Sequence, residues 1–322
     1  MSKMQMWRTK PAPVFNTTCL DLFGPMYIKD NVIKRTGRGH VEGKCWGVVF
    51  TCAATGAVNI DITEDYSTDS MVQCLRRHMC DHGAPTTFIT DRGTQLKAAR
   101  DEVSPNWDLI QGKMVDIKWV FAPTAGHHYN GLAEAFVKRT KRTLETVLQG
   151  SGKMTFGELQ TFAKEVKQII NSRPLGSKSS GDPESAPPLT PNHLLLAGRS
   201  SIEIPEGPFQ ETKLNKRFIF VQNLVTQFWE KWMKTVFPKY IQSYKWTHEK
   251  RNLREGDVVL IQKEDVKRGS FPLGRIKEVI TSEDGLVRKA MVEYMMGQTK
   301  KVVEKAISSL ILIVPTDYIN NI

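Results

Sequence analysis

Cys45-Trp46-Gly47-Val48-Val49-Phe50-Thr51-Cys52-Ala53-Ala54-Thr55-Gly56-Ala57-Val58-Asn59-Ile60-Asp61-Ile62 is the stretch on which the reading of the fold turns. Trp46 to Phe50 is a short apolar run bounded by turn residues, which reads as a buried strand. Thr55-Gly56 turns the chain, and Ala57 to Ile62 alternates as the next strand. Upstream, Thr17-Thr18-Cys19-Leu20-Asp21-Leu22-Phe23 carries another strand signal, stopped by Gly24-Pro25. A basic, glycine-containing turn, Lys34 to Gly39, lies between. Three consecutive strands joined by short loops predict an antiparallel meander. Residues 1–15, with Pro11 and Pro13, read as a linker.

Downstream the period changes. Thr68 or Asp69 can cap a helix that carries Met71, Val72, Leu75 and Met79 on one side and closes at Gly83. Thr86 to Thr90 is a strand with Asp91 at its C-terminal end. A helix between strands is a crossover, so this strand should lie parallel to its neighbour. Another helix follows Gly93, then a strand at Ile117 to Phe121. After a loop come a basic helix from about Leu132 to Leu148 and another from about Phe156 to Asn171. Meander first, alternating helices and strands second, is the order of an RNase H-like α/β domain: a mixed five-stranded sheet with flanking helices.

Residues 176–190 form a Ser/Pro/Gly-rich linker. Phe218, Val221, Val225, Phe228 and Trp232 then recur as one stripe of an amphipathic helix, a pattern that packing explains better than base stacking. Pro238 ends that helix. From Leu253 five short strands are expected: Val258 to Ile261, Arg275 to Ile280, Ala290 to Met295, Lys301 to Val303 and Leu310 to Val314. Five in about 60 residues suggest a small barrel, SH3-like among the options. The expected organisation is therefore a linker (1–15), an α/β core (16–176), a linker with its helix (177–245) and a β-barrel (246–322).

The formal net charge is +11 and the pI is 9.4, a balance that points to a polyanion, most commonly nucleic acid. Five cysteines, an odd number with no C-x-x-C pair, argue against a disulfide framework or a zinc knuckle. They fit a reducing, intracellular compartment. The N-terminus lacks a secretory signal, and no apolar run is long enough to span a bilayer.

Three acidic residues occupy awkward positions. Asp21 interrupts an apolar strand, Asp91 follows Phe88-Ile89-Thr90 directly, and Glu134 stands one turn into a basic helix. A carboxylate so placed is costly unless a cation pairs with it, and carboxylates that converge invite divalent ions. Two Mg²⁺ ions about 3.5–4 Å apart can activate the attacking oxygen of a phosphodiester displacement and stabilise the leaving one. Spacing alone does not select this trio from 34 acidic residues.

Local sequence does. Asp21-Leu22-Phe23-Gly24-Pro25, Thr90-Asp91-Arg92-Gly93-Thr94-Gln95 and the run from Phe121 through His127-His128-Tyr129-Asn130-Gly131 to Glu134 closely resemble retroelement integrases. The closest resemblance is to the Pao/BEL group of LTR retrotransposons. Thr68-Asp69-Ser70, Ile170-Asn171-Ser172-Arg173-Pro174-Leu175, Pro188 to Leu196 and Arg251-Asn252-Leu253-Arg254-Glu255-Gly256-Asp257 extend it from about residue 16 to 315. The resemblance implies a DDE core in which Asp21, Asp91 and Glu134 bind two Mg²⁺ or Mn²⁺ ions. It implies DNA 3′-end processing and strand transfer, the work of a polynucleotidyl transferase. Between Asp91 and Glu134 lie 42 residues, more than in retroviral members. The extra length falls around Val103 to Val115, where insertion costs little.

Lys138 and Lys141 lie four and seven residues beyond Glu134, on one helix face, and the resemblance gives that face to element DNA. Arg142 serves target DNA or solvent, and Asn130 belongs to the loop before the catalytic helix. Zinc is not expected: His127-His128 would need two more ligands, and no Cys lies near. The zinc module that precedes the core in the family is likewise not expected here. DNA, further copies of the chain and a chromatin partner for the C-terminal module are the implied partners, in the nucleus. The alternative is a domesticated, non-catalytic DNA- or chromatin-binding protein. A ribonuclease on the same fold would leave the Asn-Ser-Arg-Pro and Pro-Asn-His-Leu-Leu-Leu stretches unexplained.

Overall fold

The computed structural model describes residues 12–29, 43–90, 117–121, 131–149, 154–175, 189–197, 216–235, 251–262, 268–296 and 299–319. The chain divides into two compact units, Met1–Ile170 with Glu203–Trp232 and Asn171–Ile202 with Met233–Ile322.

The first unit is built on a five-stranded mixed sheet. Its strands are β1 (Thr17–Ile28), β2 (Gly43–Cys52), β3 (Val58–Thr63), β4 (Thr87–Thr90) and β5 (Lys118–Phe121), in the order β3-β2-β1-β4-β5. The first three pair antiparallel, as the meander predicts, while β4 runs parallel to β1 and β5 parallel to β4. Both faces are covered, so β3 is buried throughout.

β1 does not stop at Gly24-Pro25. It passes through them to Ile28, with an irregularity between Phe23 and Met26 where the ladder to β2 shifts register. Gly24 accommodates this with φ +118, a left-handed value that glycine adopts without Cβ strain. A β-bulge therefore replaces the expected turn.

Helix α1 (Thr68–His82) is capped by Ser67, whose side chain accepts from the Ser70 N–H, one residue earlier than the sequence suggests. It buries Met71, Cys74, Leu75, His78 and Met79, while Val72 is only half-buried. His78 stacks on Phe50, with ring centroids 4.0 Å apart, so α1 covers the sheet face that carries Phe50. Phe15, buried at φ +67, packs its ring against His78 and His82. Helix α2 (Gly131–Gln149) packs against β1 and β2, and its buried stripe is Thr140, Thr143, Leu144 and Val147.

Helix α3 (Phe156–Asn171) starts with a reciprocal cap. The Glu158 N–H donates to Thr155 Oγ1, and the Thr155 N–H donates to the Glu158 carboxylate at 2.8 Å. Arg217 from helix α5 (Lys216–Thr235) grips the same carboxylate. The Arg217 hydrogen bonds, aided by the Thr155 N–H, pull the Glu158 carboxyl down to about 2. Gln222 donates to Glu165, so α5 packs along α3. The expected stripe is largely buried at Val221, Val225, Phe228 and Trp232, whereas Phe218 is exposed.

The second unit carries an antiparallel sheet of β6 (Val258–Ile261), β7 (Leu273–Thr281), β8 (Val287–Met296), β9 (Thr299–Ala306) and β10 (Leu310–Val314). The order is β10-β6-β7-β8-β9: a meander whose last strand returns to pair with its first. A 3₁₀ turn at Ile307–Ser309 makes the return. Its core gathers Leu253, Val259, Ile261, Ile276, Ala290, Val292, Tyr294 and Leu310. The edge strand β9 exposes Lys300 and Lys301, charges that discourage further strand pairing.

Candidate active site

Asp21 sits in the middle of β1, opposite Val49 of β2. Strand alternation turns it to the face opposite Leu20 and Leu22, and the contacts of α2 place that helix over it. Lys141, on the third turn of α2, reaches back so that its Nζ lies 2.8 Å from Asp21 Oδ2. The Asp21 side chain is 41% exposed and that of Lys141 18%. This ion pair is the one partner the described residues give the Asp21 carboxylate. A pair this open to water contributes only about 0–1 kcal/mol to stability. Its interest therefore lies in where it is rather than in how much it stabilises.

Leu20 is in register with Thr90 across the parallel β1–β4 ladder. Asp21 is thus the residue after Leu20 on one strand, and Asp91 the residue after Thr90 in the sequence. Asp91 itself lies outside the described residues, as do Asn130, His127 and His128, and the Glu134 side chain is not described. The helical backbone at 134 is described, seven residues before Lys141. Lys138 and Arg142 are exposed on α2, and Lys141 alone of the three turns in to Asp21. Among the described residues, no group of three His, Cys, Asp or Glu side chains gathers to hold a metal. Asp21 by itself offers what a hard cation takes: an accessible carboxylate with one oxygen that no donor among the described residues approaches.

A second carboxylate shows what a structural counterpart looks like. Asp61 has the same local setting as Asp21, an aspartate between two isoleucines in β3, and its side chain is only 5% exposed. Arg77 Nε donates to it at 2.7 Å, Lys164 Nζ lies 3.7 Å away, and its own Oδ1 accepts the Ile62 N–H. Lys164 and Arg77 also donate to the carbonyls of Ile60 and Ile62. Asp61 and its cations therefore close the outer edge of the sheet. An aspartate inside an apolar strand describes Asp61 as well as Asp21; burial and partners separate the two, as does the Asp21-Leu22-Phe23-Gly24-Pro25 stretch that carries the resemblance.

Several stretches that carry the resemblance have structural roles. In α4 (Pro191–Leu195), Thr190 accepts the His193 N–H while His193 Nδ1 accepts the Thr190 N–H. Asn192 donates to Ser172 Oγ at 3.0 Å, and the Leu175 N–H to the Leu189 carbonyl, which joins two of those stretches. Asp257, wholly buried, accepts from Arg251, the Arg254 N–H and Thr316. Burial raises its carboxyl, but these hydrogen bonds outweigh burial and hold it below the usual carboxylate range. No disulfide joins any of the five cysteines, and burial pushes the Cys45 thiol up to about 12. Among the described residues, no helix is long and apolar enough to cross a membrane.

Residues 216–309 match the model of a family of unknown function, DUF5641. No curated protein matches the chain. Solved structures similar to it include the following two. One is the cryoEM structure of the simian T-cell lymphotropic virus intasome in complex with PP2A regulatory subunit B56 gamma, with TM-score 0.38 and 10% identity over 94% of this chain and 80% of that one. The other is the HTLV-2 integrase catalytic core domain in complex with magnesium, in its dimeric form. Its TM-score is 0.32 and its identity 13%, over 49% of this chain and 88% of that one.

Proposed function

We propose that this chain is the catalytic core and C-terminal region of a Pao/BEL-type retroelement integrase, a DDE polynucleotidyl transferase that processes DNA 3′ ends and joins them to target DNA. The observation that carries the reading is the pairing of Leu20 with Thr90 beside the Lys141–Asp21 contact. Three elements far apart in sequence, β1, β4 and α2, come together around Leu20, Thr90 and Lys141, and each adjoins one of the resemblance motifs. Extending the β1–β4 pleat by one residue would set positions 21 and 91 side by side on the face that α2 covers, about 5 Å apart. Position 134 lies on the same helical face as Lys141, about 10 Å along the axis. The strand order, with an antiparallel meander on one side of β1 and parallel strands on the other, is that of the RNase H-like class. The returning meander of the second unit supports an SH3-like barrel.

Two Mg²⁺ or Mn²⁺ ions held by such a trio would activate the attacking oxygen and stabilise the leaving one. Asp21, Asp91 and Glu134 would hold and space them. Lys138, Arg142 and Asn130 would take the DNA backbone, and a multimer would bring two ends together in the nucleus, with a chromatin partner on the second unit. A strand-transfer assay with Mg²⁺ or Mn²⁺ and an oligonucleotide carrying the element terminus tests this. Asp91→Asn abolishes joining while DNA binding persists. Joining at the parental rate by that variant would refute the assignment.

A further inference from the structure

Pro13 to Asn16 lead into β1 as a tight turn docked on the core. The Asn16 N–H donates to the Pro13 carbonyl at 3.1 Å, and the Asn16 carbonyl accepts the Thr86 and Thr87 N–H groups. The Phe15 N–H donates to Cys52 Sγ, and Thr18 Oγ1 donates to the Phe15 carbonyl at 2.7 Å. The Phe15 ring is wholly buried, its centroid 4.6 Å from that of His82 and 4.9 Å from that of His78. Two features oppose this docking. Phe15 carries φ +67, a left-handed value that costs a residue with a Cβ. The His82 ring it lies against has its Nε2 buried with no hydrogen-bond partner. We infer that Pro13 to Asn16 form an acid-released strap: protonation of His82 undocks Phe15 from α1 and loosens the chain entering β1 while the sheet stays folded.

The surroundings of His82 set the direction. Burial first, then Lys167 of α3, with Lys164 adding, take its pKa from 6.5 down to about 4, against the weaker pull of Asp81. The His78 ring, 5.1 Å away, stays neutral over this range. A histidine with a depressed pKa favours the docked form fully above pH 6.5, and that preference is lost as pH falls toward 4. Complete exposure on release would raise the open population about twentyfold between pH 7 and pH 5. His82 keeps part of its water when docked, so about tenfold is expected. His78 does not drive release. It stacks on Phe50 at 4.0 Å and is hydrogen-bonded to Asn59, so undocking removes only an edge contact from it. Protonation and undocking are coupled in both directions, so loss of the Phe15 ring must in turn raise the His82 pKa.

The test is amide hydrogen exchange of the full chain between pH 7 and pH 5, corrected for the intrinsic exchange rate. The Phe15, Asn16, Thr86 and Thr87 amides report the strap, and the amides of β2 report the sheet. Strap amides open more readily than those of β2 at every pH. Their opening rises about tenfold from pH 7 to pH 5 in the parent and in His78→Gln, but by less than about twofold in His82→Gln. A second measurement leaves His82 in place: in Phe15→Ala, the His82 imidazole followed by NMR titrates at about 6 instead of about 4. Strap amides as protected as those of β2, a pH dependence that survives in His82→Gln, or a His82 titration unmoved by Phe15→Ala overturns the inference.

Discussion

His78 makes the first unit sensitive to acid, by an amount that can be worked out. Its side chain is 1% exposed, stacked flat on Phe50, edged by Phe15 and hydrogen-bonded through Nδ1 to Asn59. Burial above all, with His82, Lys167 and Lys164 adding repulsion, takes its pKa from 6.5 down to about 2. A histidine whose folded pKa is depressed stabilises the fold fully above 6.5, and that contribution is lost as pH falls. At pH 5 the unfolded imidazole is almost all protonated and the folded one almost all neutral, so linkage removes about 2 kcal/mol relative to pH 7. His82, half-buried and lowered to about 4, has the same sign, with a smaller effect because water screens it. The assay is urea unfolding followed by tryptophan fluorescence, since six of the seven tryptophans belong to the first unit. At an m-value of about 2 kcal/mol/M the parent midpoint falls by about 1 M between pH 7 and pH 5 from His78 alone. His78→Gln is less stable at both pH values, but the pH-dependent loss shrinks by about 2 kcal/mol, a difference of differences that cancels the packing defect. Equal losses in parent and variant would refute the reasoning.

A Cβ at Gly47 would lie 2.0 Å from Phe23 Cζ, so Gly47→Ala should cost about 1–3 kcal/mol, and adding Phe23→Leu should recover part of it in thermal melts. Asp257→Asn turns an acceptor of four donors into a side chain that is half donor. It should destabilise the second unit by about 2–4 kcal/mol, and an unchanged melting transition would contradict the buried hub. Lys138→Ala should lower the salt dependence of DNA binding by about one unit of slope, and an unchanged slope removes Lys138 from the DNA path.

Much of the fold could be read from pattern. The apolar run through Phe50 and the alternation ending at Ile62 yield the meander, and Met71, Leu75 and Met79 yield the crossover helix. Elements were misread where two residues act together across space. Gly24-Pro25 is a stop signal in isolation, but β2 continues to pair beyond it and turns the stop into a bulge. Ser67 caps α1 because its hydroxyl reaches the Ser70 N–H, which Thr68 and Asp69 would equally have satisfied on paper. The candidate site divides in the same way. An aspartate in an apolar strand describes both Asp21 and Asp61, so strand pattern alone does not separate them; the stretch from Asp21 to Pro25 does, through its resemblance. Lys141 was placed on the Glu134 face by helical spacing, but its pairing with Asp21 depends on how α2 lies across β1, which no local pattern encodes.

On the proposed function, Asp21, Asp91 and Glu134 share one metal site. Replacing the bound ion with Fe²⁺ and adding ascorbate and peroxide generates radicals that cut the backbone next to the metal. Mapping the fragments should reveal three clusters of cuts, near residues 21, 91 and 134, all suppressed by excess Mg²⁺. Cuts near residue 21 without those near 91 and 134, or cuts that Mg²⁺ does not suppress, would rule out a shared site.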